Sequence, residues 1–123
     1  MSNASAHATD FYREVALSRR VWTLRDDGGH PAPRNSRGVR AQPFWSSLAR
    51  VERIIESVPD YGGFRPVEMS WEEFRDTWLP KLASGGMEVG VNWSGRKARG
   101  LDLPPEAVRE AVEWQIEHGA PAV

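Results

Sequence analysis

The sequence has no cysteine among its 123 residues. Without thiols, the chain can form no disulfide framework, no thiolate nucleophile and no cysteine-ligated metal site. It also has no apolar run close to the ~18 residues of a membrane-spanning helix, and no long apolar core of the signal-peptide kind near its start. These absences favour a cytoplasmic protein that neither crosses nor binds a membrane.

An excess of charge of one sign is absent as well. The 16 basic and 17 acidic residues leave a net charge of -1 and form no block of like charge. Nucleic acids and anionic membranes bind proteins through concentrated positive charge, so we expect no nucleic-acid partner. His7, His30 and His118 share no metal-ligand spacing. We therefore expect neither a metal nor another cofactor.

The composition that is present belongs to one ordinary globular domain. Hydrophobic residues make up 40% of the chain and charged residues 27%. A chain of this length forms one core rather than two. We expect a flexible tail over residues 1–7 and a single domain over residues 8–119.

Hydrophobic periodicity and end signals divide this domain into four helices and four strands. Ser70 and Glu73 form a capping box, in which the serine hydroxyl accepts from a backbone N–H and the glutamate reaches back to the cap. Pro80 is expected to bend its helix or split off the last turn. Residues 26–38 are almost all turn formers and predict a hairpin loop. The predicted helices span 9–19, 47–58, 71–84 and 104–118, and the predicted strands span 21–25, 39–45, 64–69 and 87–93.

The element order α-β-β-α-β-α-β-α predicts an α+β fold. A hairpin followed by two right-handed parallel crossovers gives a two-layer sandwich, with a mixed four-stranded sheet and helices mainly on one face. We expect helices 47–58 and 71–84 to pack on the same face. Val89, Val91 and Trp93 alternate with small or polar residues, so their side chains are also predicted to share a face.

Six segments carry a resemblance to a known family: Phe11–Val15, Val21–Gly29, Pro43–Ser47, Trp71–Phe74, Trp78–Pro80 and Val89–Gly95. In their composition and order the chain resembles the bacterial domain-of-unknown-function family 2750, from about residue 8 to residue 113. The resemblance implies a small α+β domain with no established activity, cofactor or catalytic residue. In element order alone, the chain is also similar to the N-terminal domain of SseB-like proteins.

No residue pattern points to an enzyme. Asp26 and its neighbour could present two carboxylates, but Asp-Gly is a common hairpin-turn sequence. Ser46 lacks a Gly-x-Ser-x-Gly elbow and a histidine base, and helix capping by Ser46 or Ser47 accounts for it better. The loop 95–100 carries three cations that could meet a phosphate. It lacks the spacing of a phosphate-binding loop, so a solvated loop is favoured.

The chain has six tryptophans. Trp78 and Trp114 lie at helical spacing from other apolar residues and are predicted to pack inward. Trp22, Trp45 and Trp93 lie in strands or at their ends. Rings in such positions can stack on a flat ligand or fill the core of a small domain, and core packing is the simpler interpretation.

Two functions fit these observations. The first is a non-catalytic protein-interaction or regulatory module, a monomer or weak homodimer, because Trp and Arg dominate interface hot spots. The second is a small-molecule or peptide binder with an aromatic cleft between the 26–38 and 92–100 loops. A pocket lined by Trp45 and Trp93 would favour the second, whereas burial of both would weaken it. The candidate binding residues are Trp22, Asp26, Trp45, Ser46, Asn92, Trp93, Ser94 and Arg96.

Overall fold

The structure, a computed structural model, describes residues 4–119, which form an α+β fold of four helices and five strands. The helices are α1 (Ala4–Ser18), α2 (Leu48–Ser57), α3 (Trp71–Glu73, Phe74–Trp78 and Leu79–Ser84 in succession) and α4 (Pro105–His118). A short 3-10 helix, Pro59–Tyr61, follows α2. The strands are β1 (Arg20–Arg25), β2 (Ala41–Phe44), β3 (Arg65–Ser70), β4 (Glu88–Ser94) and β5 (Arg99–Leu103).

The predicted elements lie within a few residues of the observed ones except at two places. α1 begins at Ala4 rather than near residue 9, so positions 4–7 of the predicted tail are helical; positions 1–3 lie outside the described residues. The second difference is β5, a fifth strand that was not predicted; it begins at Arg99, within the predicted loop 94–100. Its sequence contains Gly100, which weakens a strand pattern.

Serine side chains begin two of the helices. Ser47 caps α2, where its Oγ accepts from the Arg50 amide at 3.2 Å. Ser70 caps α3, where its Oγ accepts from the Glu73 amide at 3.0 Å. The predicted cap at Ser70 is therefore confirmed. The Glu73 carboxylate instead accepts from the Trp78 indole N–H at 3.3 Å.

Helix α3 passes through Pro80 without ending. Its middle part, Phe74–Trp78, is a π-helical turn, in which the Leu79 amide donates to the Phe74 carbonyl. Proline has no amide to donate and its ring crowds the preceding turn. A wider turn immediately before Pro80 changes the hydrogen-bond register there, as π-bulges commonly do.

The five strands form two hydrogen-bonded sheets, one of two strands and one of three. β1 pairs antiparallel with β3, while β2 pairs in parallel with β4, which in turn pairs antiparallel with β5. A two-way bridge joins the two sheets, because the amides of Trp22 and Trp45 each donate to the other's carbonyl at 2.8 and 2.7 Å. Joined at this bridge, the two sheets form one layer of strands in the order β3-β1-β2-β4-β5. β2, β3 and β4 run in the same direction, as the predicted crossovers require.

Two clusters of buried apolar side chains lie on opposite faces of this sheet. Val21 belongs to one cluster and Leu24, three residues further along β1, belongs to the other. Three helices, α1, α3 and α4, cover the first face, and α2 covers the second through residues such as Val51. The expectation that helices 47–58 and 71–84 share a face is wrong. Periodicity shows that a helix has an apolar side, but not which face of the sheet receives it.

Of the two helical tryptophans predicted to pack inward, Trp114 does not. Trp114 is 56% exposed, although it was predicted to pack inward. Val108 and Val112 form the buried side of α4, and Trp114 lies about 200° around the helix from Val112. Trp78 packs against the first core cluster as predicted; it is half-buried, with its ring edge-on to Phe44.

Candidate functional site

Strand β4 changes face near its end because it contains a β-bulge. Asn92 and Trp93 together lie opposite the single residue Gly100 of β5. Asn92 has a φ of +49°, a left-handed conformation that asparagine adopts more readily than most residues. The extra residue reverses the alternation of side chains, so Trp93 belongs to the cluster on the opposite face from Val89 and Val91. The prediction that these three share a face is therefore wrong.

The Trp93 ring lies flat against a patch of backbone that has no side chains. A Cβ at position 90 would lie 2.5 Å from the ring atom Cζ2 and closer still to Cε2, and a Cβ at position 100 would lie 3.0 Å from Cδ1. Glycine at both positions leaves room for the ring. The indole N–H then donates to Asp102 Oδ1 at 2.9 Å. The ring is thus held by packing on one side and by a carboxylate at its edge.

Asp102 continues this contact into a network that fixes the neighbouring loop. Its Oδ2 accepts from Asn35 Nδ2 at 3.0 Å, and the same amide nitrogen also donates to Glu88 Oε1 at 3.2 Å. Arg37 donates to both oxygens of Glu88, at 2.5 and 3.2 Å. Asn35 Oδ1 accepts from the amides of Arg37 and Val39. The loop before β2 is therefore tied to β4 and β5.

The network forms the floor of a cleft between this loop and the β4–β5 turn. The cleft has a volume of about 400 Å³. Ala98, which has a φ of +47° and is 3% exposed, anchors the turn by packing its methyl group into the second core cluster. The lining residues are Pro33, Arg34, Asn35, Ser36, Arg37, Val58, Asp60, Tyr61, Trp93, Lys97, Ala98, Arg99, Gly100, Leu101 and Asp102.

Cations outnumber free carboxylates on the walls of this cleft. Lys97, Arg99 and Arg34 are exposed and have no carboxylate partner within residues 4–119. Arg34 donates only to a backbone carbonyl, that of Gly38. Both oxygens of Asp102 are already hydrogen-bonded, which leaves Asp60 as the one unpaired carboxylate of the lining in the described part of the chain.

One further wall residue, Tyr61, keeps its proton at neutral pH. Burial raises the pKa of its hydroxyl above the usual value, and the Asp60 carboxylate raises it further. The tyrosine therefore offers a neutral hydroxyl beside an apolar ring. Together with Trp93 and Val58, it adds apolar surface to the lining of the cleft.

A second group of hydrogen-bonded polar side chains connects the ends of β2 and β4 to α1. The Ser46 hydroxyl donates to Glu14 Oε1 at 2.6 Å and accepts from Asn92 Nδ2 at 3.0 Å. Asn92 also accepts from the Ser46 amide at 3.0 Å and donates to the His7 carbonyl at 3.1 Å. Arg50 holds both oxygens of Glu14, at 3.0 and 2.9 Å. The Arg50 hydrogen bond is the main cause of a lowered pKa for Glu14; burial opposes that shift, and the Ser46 hydroxyl adds to it.

This second grouping connects β2, β4 and α1, and its hydroxyl and amide groups are closed to solvent. Ser46 is 2% exposed and Asn92 is 1% exposed. Their hydrogen-bonding groups contact α1 and one another, so the amide of Asn92 fixes the bulge to the first helix. We interpret the grouping as structural.

The structure places the remaining candidate residues in different environments. Trp45 is fully buried, and its indole N–H donates to the Trp93 carbonyl at 2.9 Å. Trp22 is half-buried beside it. The Asp26 carboxylate accepts from the Gly28 amide at 2.8 Å within the turn after β1. Ser94 and Arg96 are exposed and do not line the cleft.

Only Trp93 of the eight candidates lines the cleft. Trp93 is 6% exposed and Trp45 is fully buried, so both belong to the core. This outcome weakens the hypothesis of an aromatic cleft, because only Trp93 reaches the cleft wall. The cations Lys97 and Arg99 were visible in the sequence as part of a loop that could meet a phosphate. Asn35 and Asp102 had no local signal, because 67 positions separate them in the chain and only the fold brings them together.

No group of three or more histidine and acidic side chains that could hold a metal ion is found within residues 4–119. In the same part of the chain, no helix has both the length and the apolar character needed to cross a membrane.

Comparison with protein-family models gives a match. The family model described as "Protein of unknown function (DUF2750)" matches residues 8–112, in agreement with the resemblance carried by the six segments. No curated protein matches the sequence. The likeness in element order to SseB-like proteins stays a prediction.

Proposed function

The chain belongs to the DUF2750 family of proteins of unknown function, and we propose that it is a non-catalytic module that binds a small anionic molecule in the cleft beside Trp93. The observation that carries this proposal is the cleft itself, whose lining combines unpaired cations, apolar side chains and a hydrogen-bonded network. Because Trp45 and Trp93 are both buried, the proposal rests on the cations of the lining and not on a cleft walled by both rings.

The size and rigidity of the cleft suit a small ligand. Its volume of about 400 Å³ falls in the range of ~300–1,000 Å³ that is usual for ligand sites. The floor is fixed before any ligand arrives, because Asn35, Asp102 and Trp93 already bond to one another. A preformed site spends less free energy on ordering its own side chains when it binds.

The charges of the cleft favour an anionic group on that ligand. Lys97 and Arg99 flank Ala98, whose buried methyl group fixes the turn that presents them. Arg34 adds a third charge from the opposite loop. A phosphate or carboxylate can accept charge-assisted hydrogen bonds from such groups. The body of the ligand would then lie against Tyr61 and the exposed edge of Trp93.

Binding is favoured over catalysis because the polar side chains of both groups are already hydrogen-bonded or buried. Asp102 has both oxygens bonded, and the Ser46 hydroxyl is buried between Glu14 and Asn92. A catalytic nucleophile needs an adjacent base and access to the substrate. In the described residues, neither grouping supplies both.

The proposal is tested by following backbone and indole N–H resonances during titration with inorganic phosphate, adenosine monophosphate and adenosine. We expect both phosphates to shift the amides of 97–100 and the Trp93 indole, with the nucleotide binding more tightly than phosphate and adenosine binding weakest. Lys97→Ala combined with Arg99→Ala should weaken nucleotide binding about tenfold, since each exposed charge pair contributes up to ~1 kcal/mol.

Arg96→Ala is the matched control, because Arg96 is an exposed cation of the same turn that does not line the cleft. It should change the affinity less than twofold. Equal weakening by Arg96→Ala would show general charge attraction rather than a site. Absence of shifts at millimolar phosphate and nucleotide, or tighter binding of adenosine than of its monophosphate, would overturn the proposal.

A further inference from the structure

One large aromatic side chain of the domain lies open on its surface. Trp114 is 56% exposed, whereas Trp45, Trp71 and Trp93 are buried. Its ring stacks on His118 one turn further along α4, with centroids 4.9 Å apart and planes 26° apart. One face of the indole is therefore covered, and its exposure means that the other face is available to a partner.

Trp114 forms one wall of a groove with a volume of about 500 Å³. The floor is apolar and consists of Trp71, which begins α3, and Ile116, which packs against the first core cluster. Because these residues belong to the core and to two packed helices, the groove keeps its shape in the free protein. No residue of this groove lines the cleft beside Trp93.

The rim of the groove is acidic. Glu110 and Glu117 lie four residues before and three residues after Trp114, and so on the same side of α4. Glu113 is the third acidic residue of the lining. In the described part of the chain, Glu113 lies 3.9 Å from Arg109 and Glu117 lies 4.0 Å from the His118 ring, whereas Glu110 forms no ion pair.

The two arginines of the lining offset this charge only in part. Arg75 forms a double hydrogen bond with Asp76, at 2.6 Å for each contact, so its charge is already compensated. Arg19 donates to the Ala16 carbonyl and has no carboxylate partner within residues 4–119. The groove therefore combines an exposed indole face with a net negative rim.

We propose that this groove docks a cationic segment of another protein, with a lysine or arginine side chain lying over the open face of Trp114. A cation over a tryptophan ring gains ~0.5–2 kcal/mol, and carboxylates around the ring add to that attraction. Exposed aromatic residues of this kind are also the usual anchors of protein interfaces.

A second copy of this chain is a poorer occupant. In a two-fold symmetric dimer the same patch meets itself, which would bring Glu110 and Glu117 of one copy close to those of the other. Like charges brought together in this way oppose association. A cationic segment has no such penalty.

The test uses short peptides as probes and the Trp114 indole N–H resonance as the readout. Acetylated and amidated tetra-arginine should shift this resonance and bind with millimolar or tighter affinity. Tetra-citrulline has the same shape without the charge and should bind at least tenfold more weakly. Trp114→Ala, followed through the amide resonances of α4, and Glu110→Gln combined with Glu117→Gln should each weaken tetra-arginine binding at least fivefold.

Two matched controls separate docking from general effects. Leu17→Ala removes another exposed apolar side chain, 62% exposed and outside the groove. Glu52→Gln combined with Glu56→Gln removes two exposed charges from α2. Both should leave the affinity unchanged within twofold.

Three results would overturn the proposal: no binding of tetra-arginine, equal binding of tetra-citrulline, or a loss with the α2 control as large as with the α4 variants. Sedimentation of the free protein tests the other occupant. If the wild-type protein is a dimer and the Trp114→Ala variant is a monomer, a second copy covers the groove and the proposal is contradicted.

Discussion

Replacing Gly90 by alanine tests how the Trp93 side chain is held. The Cβ of alanine would lie within 2.5 Å of the ring atom Cζ2 and would meet Cε2 and Nε1 as well. Real Cβ atoms do not approach other atoms so closely, so the ring must move. Since the backbone at Gly90 has no positive φ, alanine brings no backbone strain of its own. The whole effect is therefore attributable to the ring.

The expected loss of stability follows from two terms. Forcing an extra carbon into a packed site costs ~1–3 kcal/mol. Moving the ring also breaks its hydrogen bond to the Asp102 carboxylate, and bonds to charged groups contribute ~1.5–3 kcal/mol. Because the ring can relax toward the cleft, the two terms do not add fully, and we expect a decrease of roughly 2–4 kcal/mol in the free energy of unfolding.

Urea denaturation followed by circular dichroism measures this loss. Gly63→Ala is the control, because a Cβ there has no atom within 4 Å and should change stability by less than ~0.5 kcal/mol. In a Trp93→Leu background the ring is gone, and Gly90→Ala should then cost less than half as much. A loss below ~0.5 kcal/mol in the wild-type background, or the same loss in both backgrounds, would refute the placement of the ring.

Three further substitutions test other contacts. Ser70→Ala should lower the free energy of unfolding by about 1 kcal/mol, because it removes the cap of α3. Ser84→Ala, at an exposed position, should leave it unchanged. Equal denaturation midpoints for Ser70→Ala and the wild type would show that Ser70 does not cap the helix. Asn92→Gly keeps the left-handed backbone but removes the amide that bonds to Ser46 and His7. The free energy of unfolding should therefore fall by ~2 kcal/mol or more, and an unchanged value would contradict the structural role of Asn92. Because the folded-state pKa of Glu14 is lowered, chiefly by Arg50, its stabilisation is present above the unfolded pKa of about 4.3 and is lost as pH falls through the lower folded pKa. In Glu14→Gln, the melting temperature should therefore fall less between pH 5 and pH 2 than in the wild type. Glu56→Gln is the control, and an unchanged pH dependence in Glu14→Gln would contradict the prediction.

Much of the fold could be predicted because it depends on local patterns. The capping serines, the apolar side of α2 and the turn formers of 26–38 each specify their own element within a few residues. β5 was missed because it is short, begins with a charged residue and has Gly100 as its second position. Local patterns could not predict which face of the sheet each helix covers, because that depends on how α2 and α3 cross the sheet.

The candidate site could be predicted in position but not in composition. The turn after β4 and the loop before β2 do meet, as the cleft prediction required. The bulge at Asn92 placed Trp93 on the unexpected face, because period-2 alternation gives no indication of an inserted residue. Asn35, Glu88 and Asp102 come together only through the pairing of β2, β4 and β5, so no single stretch of sequence indicates them.

A crystal structure with adenosine monophosphate bound would test the central claim most directly. Our account predicts the phosphate between Lys97 and Arg99, with nitrogen–oxygen distances of about 2.7–2.9 Å and the ring of the ligand against Tyr61 and Trp93. The floor formed by Asn35 and Asp102 should not move. A nucleotide bound elsewhere on the surface while the cleft stays empty, at a concentration that saturates binding in solution, would contradict the account.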